Sequence, residues 1–369
     1  MAAAASAAES GTPTKSPELP YHEAAAAAMA AVAASVGEPV AHAKEAAKGV
    51  NFRDLHTVSA LIQPGRVYRS SQIVSAHELE GLGVRAVLDL RQPPVACKTE
   101  RRNLRATIRQ ASCKCWSWLA GLVGGGRYAR GLHSGGRGSP DAALQQEPCW
   151  RCTQDTCEHY GVTARVYHVD LLPTHVSLRI LWQLPRRLQA RVLWAAARRQ
   201  HPEPIVAGAV ADPQVMGYLK LYVLLLERAK PRLAAAMRLC AHRGNLPLLV
   251  HCIHGKDRTG LVAMLLLLLC GAEREAVVRD YALSEVLLRE SREKRELLGL
   301  AEHLTTDQII AAASQVMEQT IAHLEERYGS ARNYLKALGL TDAELEAIVR
   351  NLTQPAQAAP GTAAKPAPA

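Results

Sequence analysis

Between two apolar runs, Leu248–Val250 and Leu261–Leu269, the chain sets the decapeptide HCIHGKDRTG, residues 251–260. Two histidines, a lysine, an aspartate and an arginine cannot enter a packed interior without partners. The upstream run is short and continuous, as in a buried strand, and the sequence from Gly260 onward suits a buried helix. Residues 251–259 therefore read as the turn of a strand–loop–helix unit. Backbone N–H groups in such a turn point inward, and the helix start adds positive potential, so the turn makes an anion cradle. Its size and chemistry fit a phosphate.

Within the cradle, Cys252 and Arg258 are separated by five residues. That spacing seats a sulfur at the base of the loop while the guanidinium folds back to hold two phosphate oxygens in a fork. The surrounding positive potential favours a thiolate, the form that attacks phosphorus. The Thr259 hydroxyl can donate to the sulfur as it leaves in a second step, and Gly255 and Gly260 permit backbone approaches that a Cβ would hinder. A second ligand-facing edge is expected from Val84–Arg91, a buried strand that delivers Asp89 and Arg91 at its C-terminal end, where ligands sit in open α/β sheets.

The rest of the chain frames this unit. Residues 1–48 are alanine-dominated and lack the large side chains of a core, so they read as a disordered leader, with organellar targeting as the alternative. The tail from residue 353 is similar. Residues of about 97–160 lose all periodicity, in a Gly/Arg-rich insertion carrying Cys113, Cys115, Cys149, Cys152 and Cys157. Cys149 and Cys152 have the spacing of half a zinc site, but Cys113 and Cys115 do not supply the other half, so no metal is assigned. Ser75 and Glu78 have capping-box spacing, as do Thr341 and Glu344. Strand periodicity resumes over Val162–Pro173. Beyond it, Leu181, Leu184, Leu188 and Val192 share one helix face and Arg187, Arg191 and Arg198 another, which suits a lid, a membrane-surface contact or a solvated helix. Another helix is expected over Asp212–Lys230, and the C-terminal part is helical with stops at Gly329 and Gly339.

The decapeptide resembles the signature of cysteine-dependent tyrosine and dual-specificity phosphatases, in the atypical bacterial, fungal and plant group whose loop reads HCxxGKDRTG. The segments NFRDL (51–55), PGRVYRSSQ (64–72), LDLR (88–91), DYALSE (280–285) and RYGSARNYLKALGL (327–340) follow in that group's order. The sequence departs from the group's usual pattern at His254 and at His56-Thr57. The resemblance implies an α/β fold with a central mostly parallel sheet flanked by helices, spanning residues 49–352. It also implies a two-step hydrolysis without a cofactor, with Cys252 as nucleophile, Arg258 as phosphate clamp and Asp257 as general acid. Asp170 and Asp212 are rivals for that last role, and the alternative role of Asp89 is to orient the loop or its arginine. His251, Ile253, His254, Gly255, Lys256 and Thr259, with Asp89 and Arg91, complete the implied binding site, Lys256 as a fixed charge at its mouth.

Composition limits the partners. The formal charge of +10 favours anions, here a phosphorylated protein or a phosphoinositide. No basic–aromatic pattern for nucleic acid accompanies the loop. Nine cysteines without a recognisable secretory signal suggest a reducing, cytoplasmic setting, and no apolar run reaches the length of a membrane span. The non-enzymatic alternative is a phosphate-binding scaffold with an inactive or occluded phosphatase domain.

Overall fold

The computed structural model describes residues 50–71, 76–91, 164–198, 200, 202–297 and 307–355. Five short strands form one sheet: β1 (Arg53–Asp54), β2 (Val67–Ser70), β3 (Ala86–Asp89), β4 (Arg165–His168) and β5 (Leu248–His251), in the order β1-β2-β5-β3-β4. β1 runs antiparallel to β2, and the other three pairings are parallel. Parallel neighbours need long crossovers and both faces covered, which explains why these strands lie far apart in sequence and read as continuous apolar runs. The register aligns Ser70, His251, Asp89 and His168 across the C-terminal ends of the four parallel strands. The strand before the charged loop is central.

Alternation along each strand splits the core in two. Val67, Ala86, Leu88, Tyr167, Leu248 and Val250 face the larger cluster, and Tyr68, Val87, Val166 and Leu249 the smaller. Helix α1 (Ala76–Gly81) contributes Leu79 to the smaller cluster. Every other α-helical member of the two clusters belongs to the larger one, so the expectation of helices on both faces holds with a strong asymmetry. The larger layer contains α2 (Thr174–Gln183), α3 (Arg186–Ala197), α4 (Glu203–Ala211), α5 (Gly217–Arg228), α6 (Lys230–Ala241) and α7 (Asp257–Leu269). It continues through α8 (Arg274–Leu297), α9 (Asp307–Ile310), α10 (Ser314–Tyr328), α11 (Ala331–Ala337) and α12 (Asp342–Thr353).

Several boundaries shift from the sequence expectation. α7 begins at Asp257, so Asp257, Arg258 and Thr259 form its first turn rather than the end of a loop. The basic helical stretch is broken at Leu184–Pro185 into α2 and α3, because proline lacks the N–H needed mid-helix. The helix expected from Asp212 starts at Gly217, since the Asp212 side chain closes a turn by accepting from Gln214 N at 2.8 Å. Thr341 and Glu344 do form a capping box, and Gly329 takes positive φ at the end of α10. Ser75 and the cysteine-containing insertion lie outside the described residues.

α7 is buried on nearly every side: Thr259 through Leu267 and Leu269 are all buried, and Leu268 is half-buried. A helix apolar all round belongs at the centre of a layer, and here it fixes the direction in which the loop before it opens. Leu265→Ala is expected to lower unfolding free energy by about 2–5 kcal/mol, with Leu268→Ala costing clearly less. Equal shifts in urea midpoint for the two would refute the central placement of α7.

Candidate active site

Cys252 is the first residue beyond β5 and is 1% exposed. The chain then turns through Ile253 and His254 to Gly255, at φ +64°, where a Cβ would stand 2.2 Å from the Ser70 carbonyl oxygen at the end of β2. Only glycine fits this contact. The loop is anchored by its carbonyls: His254 O accepts from Asn51 Nδ2 at 2.9 Å, and Gly255 O from Arg69 Nη2 at 2.6 Å. A trans peptide sets its N–H opposite its C=O. The amides of Gly255 and Lys256 therefore point away from these anchors, as an anion cradle requires.

The anchors are held in turn by Asp280 of α8. Its carboxylate accepts from Arg53 Nε at 2.6 Å and from Arg69 Nη1 in a short ion pair, all three groups being buried. Arg53 also donates to Asn51 Oδ1 at 2.5 Å, Asp280 O at 2.7 Å and Ser284 Oγ at 3.0 Å. Burial alone would raise the Asp280 pKa, but the two guanidinium groups hold it below the ordinary carboxylate value. Burial, then Arg69, pushes Arg53 down to about 10, so it remains charged at neutral pH. One carboxylate against two guanidinium groups leaves net positive charge directly behind the loop.

Arg258, on the first turn of α7, reaches across the sheet end to donate to Leu90 O at 3.1 Å. Asp89 accepts from Arg91 through Nε to Oδ1 at 2.9 Å, Nη2 to Oδ2 at 2.8 Å and the backbone amide at 2.9 Å. Burial opposes the charge on Asp89, yet the Arg91 bonds keep its pKa lowered. Two buried histidines flank it, with His168 Nδ1 at 3.5 Å and His251 Nε2 at 3.8 Å from Oδ2. The second distance is too long for a hydrogen bond, so burial decides, pushing the pKa of His251 down to about 4. Its ring is neutral, with the proton on Nδ1, which faces the Cys252 carbonyl at 3.3 Å. Burial likewise lowers the pKa of His168. Asp89 thus organises Arg91 and the two rings.

Lys256 is not at the mouth. It is fully buried, donating from Nζ to Ile309 O at 2.6 Å and Ala311 O at 2.7 Å, 3.8 Å from the Tyr218 ring centroid and 3.5 Å from Asp257 Oδ1. Burial dominates and lowers its pKa. Tyr218 donates to the same Ile309 carbonyl, and Glu285 accepts from Ala312 N, so Lys256 fastens the segment around α9 beneath the loop. Asp257 Oδ1 accepts from Tyr222 at 2.6 Å, and burial followed by Asp257 raises the pKa of Tyr222 far enough to keep that proton in place. Thr259 Oγ1 is buried without a hydrogen-bond partner among the described residues.

Ile253 lies 54% exposed and His254 half-buried at the rim. Of the rival acids, Asp170 follows β4 and accepts from Leu172 N; the next residue, Leu171, donates its N–H to the Leu90 carbonyl that Arg258 also meets. Asp212 caps its own turn. Asn51, Arg53, Arg69 and Asp280 lie in the segments NFRDL, PGRVYRSSQ and DYALSE, whose order alone assigns them no role. The signal was present: arginines inside strand-like segments and an aspartate between Val277 and Tyr281 all need buried partners.

Asp280→Asn would leave two buried guanidinium groups short of their counter-charge and is expected to destabilise the protein by about 3–5 kcal/mol, read from urea midpoints. A loss below about 1 kcal/mol would show that the network carries little. In acid, the unfolded chain protonates His251 at its ordinary value of 6.5, whereas the folded chain waits until about 4. The unfolded state then binds more protons, so stability is complete above pH 6.5 and declines as pH falls toward 4. His168 and Asp89 act in the same direction, Asp89 below its ordinary carboxylate range. His251→Gln should flatten the loss between pH 6.5 and 4; an unaltered slope in urea midpoints would contradict the assignment.

A model described as the tyrosine phosphatase family matches residues 44–354. A tyrosine-protein phosphatase of Nostoc commune is 31% identical over 141 residues, covering 36% of this chain and 48% of the relative. The triple specificity protein phosphatase PtpB of Mycobacterium tuberculosis is 30% identical over 111 residues, covering 26% of this chain and 40% of that protein. The aligned part is thus less than half the length of either relative. The family match takes in the whole sheet, the cysteine loop and the Asp280 network: the chain belongs to the tyrosine phosphatase family.

Proposed function

We propose that the protein hydrolyses phosphate monoesters through a phosphocysteine intermediate. The observation that carries this reading is the loop itself, with Cys252 at its base, Arg258 at its far end and its carbonyls drawn outward by Asn51 and Arg69. The Cys252 sulfur attacks phosphorus, an S–P bond forms and the ester P–O bond breaks. Asp257 gives the leaving oxygen its proton. Water then attacks phosphorus, the S–P bond breaks, and Asp257 recovers a proton from that water. Tyr222 occupies Asp257 Oδ1, while Oδ2 has no hydrogen-bond partner among the described residues. The Thr259 hydroxyl, likewise without a partner, is suited to stabilise the departing thiolate.

Phosphotyrosine is the favoured substrate class. A cysteine 1% exposed at the base of its loop is reached by a long aryl phosphate more readily than by a short phosphoserine. A relative's name, triple specificity phosphatase, supports a wider range, and we extend it to phosphoinositides. With Lys256 buried, the added anionic groups of an inositol ring would meet Arg91 and the basic helix α3 instead. That reading includes contact with a membrane surface. The buried free thiols Cys240, Cys252 and Cys270 suit a reducing, cytoplasmic setting, and among the described residues no helix is long and apolar enough to cross a membrane. A phosphate-binding scaffold is the second reading, favoured by the near-complete burial of Cys252.

The test is hydrolysis of an aryl phosphate, a phosphotyrosine peptide and a phosphoinositide panel in the presence of chelator, beside Cys252→Ser. Turnover that falls to background in the variant, with covalent phosphate trapped by rapid denaturation only on the wild type, is expected. Saturable phosphate binding without turnover by the wild type would establish the scaffold. Asp257→Asn should slow an alkyl phosphate by about 10²–10⁴ and an activated aryl phosphate far less; equal losses would remove Asp257 as the acid.

A further inference from the structure

Across Leu171–Gln200 the chain contains no aspartate or glutamate, but six arginines and His175. Five of those arginines, Arg179, Arg186, Arg187, Arg191 and Arg198, are exposed, and none has a carboxylate partner among the described residues. The same stretch carries Trp182 at 69% exposure, Leu193 at 46% and Trp194 at 54%, which are three of the five large hydrophobic side chains exposed among the described residues.

At 100° per residue, the α3 positions separate cleanly. Val192, Ala195 and Ala196 are buried against the core, with Leu188 half-buried in the same arc. Trp194 falls near the middle of the opposite arc. Arg187, Arg191 and Arg198 lie to one side of it and Arg186 and Leu193 to the other. Arg198 stacks over the Trp194 ring at 4.0 Å, so one residue presents both charge and an apolar body. An arc of this kind inverts the usual solvated helix face, which carries mixed charges and no indole at its centre.

We infer that the outward face of α3, with Trp182 at the adjoining end of α2, docks on the surface of an anionic lipid bilayer. Indole rings favour the headgroup level, where the ring is half buried and its N–H stays wet. Unpaired arginines around them meet anionic headgroups. An acidic protein surface would match the charge but needs a shaped pocket for each indole, whereas a bilayer receives both rings at one headgroup level without one. α2 leaves the sheet just beyond β4, at the C-terminal edge where Cys252 also lies. The surface stands independently of the hydrolytic reading, because docking is measured without turnover.

The experiment is co-sedimentation of the full chain with phosphatidylcholine vesicles, with and without phosphatidylserine, alongside sedimentation velocity of the protein alone. Wild type and Cys252→Ser should both bind the phosphatidylserine vesicles, with affinity falling as salt rises. Arg187→Gln combined with Arg191→Gln is expected to weaken binding about 30-fold, Trp194→Ser to weaken it further, and Leu61→Ser, an exposed residue elsewhere, to leave it unchanged. All of these side chains are exposed, so circular dichroism and melting should match the wild type. Undiminished binding by the α3 variants would overturn the proposal and move the contact to another basic segment. Equal binding to vesicles without phosphatidylserine would overturn it too. A dimer that Trp194→Ser dissociates, with no vesicle binding, would assign the face to a second copy of the chain instead.

Discussion

The carboxylate of Asp280 sits where three distant parts of the chain must agree. It joins β1 through Arg53 and β2 through Arg69, partners 227 and 211 residues away in sequence, and Arg69 passes the constraint to the Gly255 carbonyl. Removing three charged groups from water costs several kcal/mol per ion, so such a cluster is a poor source of net stability. Its effect is positional. The guanidinium of Arg69 offers fixed donor directions, one used on Asp280 and one on the loop, so the sheet, α8 and the cysteine loop can take only one mutual arrangement. The excess guanidinium charge lies on the side of the loop away from solvent, where low polarisability weakens it least, and it adds to the field of the amides and of Arg258.

The three consecutive charges at the junction of the loop and α7 then divide the work. Lys256 turns down and holds the α9 segment, Asp257 is gripped by Tyr222, and Arg258 reaches over to the end of β3. Each ties the first turn of α7 to a different neighbour. The density of charge between two apolar runs therefore has two sources: Lys256 belongs to the packing that holds the loop in register, while Arg258, with Cys252, is what the proposed chemistry draws on.

Much of this was legible from local sequence. The loop, the strand that delivers Asp89 and Arg91, the Thr341 capping box and the stops at Gly329 and Gly339 all depend on residues within a few positions of one another. The Asp280 network does not. Its members look like ordinary polar residues until the parallel order β2-β5-β3 brings the NFRDL and PGRVYR segments beside the loop. Lys256 misled for a related reason: a lysine beside a phosphate loop has a long stem that can turn either way, and the carbonyls of Ile309 and Ala311 that capture it lie more than 50 residues downstream. The start of α7 was placed late because Lys-Asp-Arg resembles a loop, although acidic side chains suit the first turn of a helix well.

The buried polar atoms without partners among the described residues reinforce the same geography. Of these, Thr259 Oγ1, His251 Nε2, both ring nitrogens of His168 and Arg69 Nε belong to the loop or to the strands whose C-terminal ends surround it. An unpaired buried group costs about 1–3 kcal/mol, and elsewhere in the core the chain avoids it by filling α6 and α7 with alanine, leucine and methionine. A neutral His251 beside an ionised Asp89 is tolerated because Arg91 already satisfies that carboxylate, which leaves the ring free to set the position of the Cys252 carbonyl without adding charge. Most of the unpartnered buried side-chain atoms among the described residues thus stand at one edge of the sheet, with the apolar central helix packed behind them.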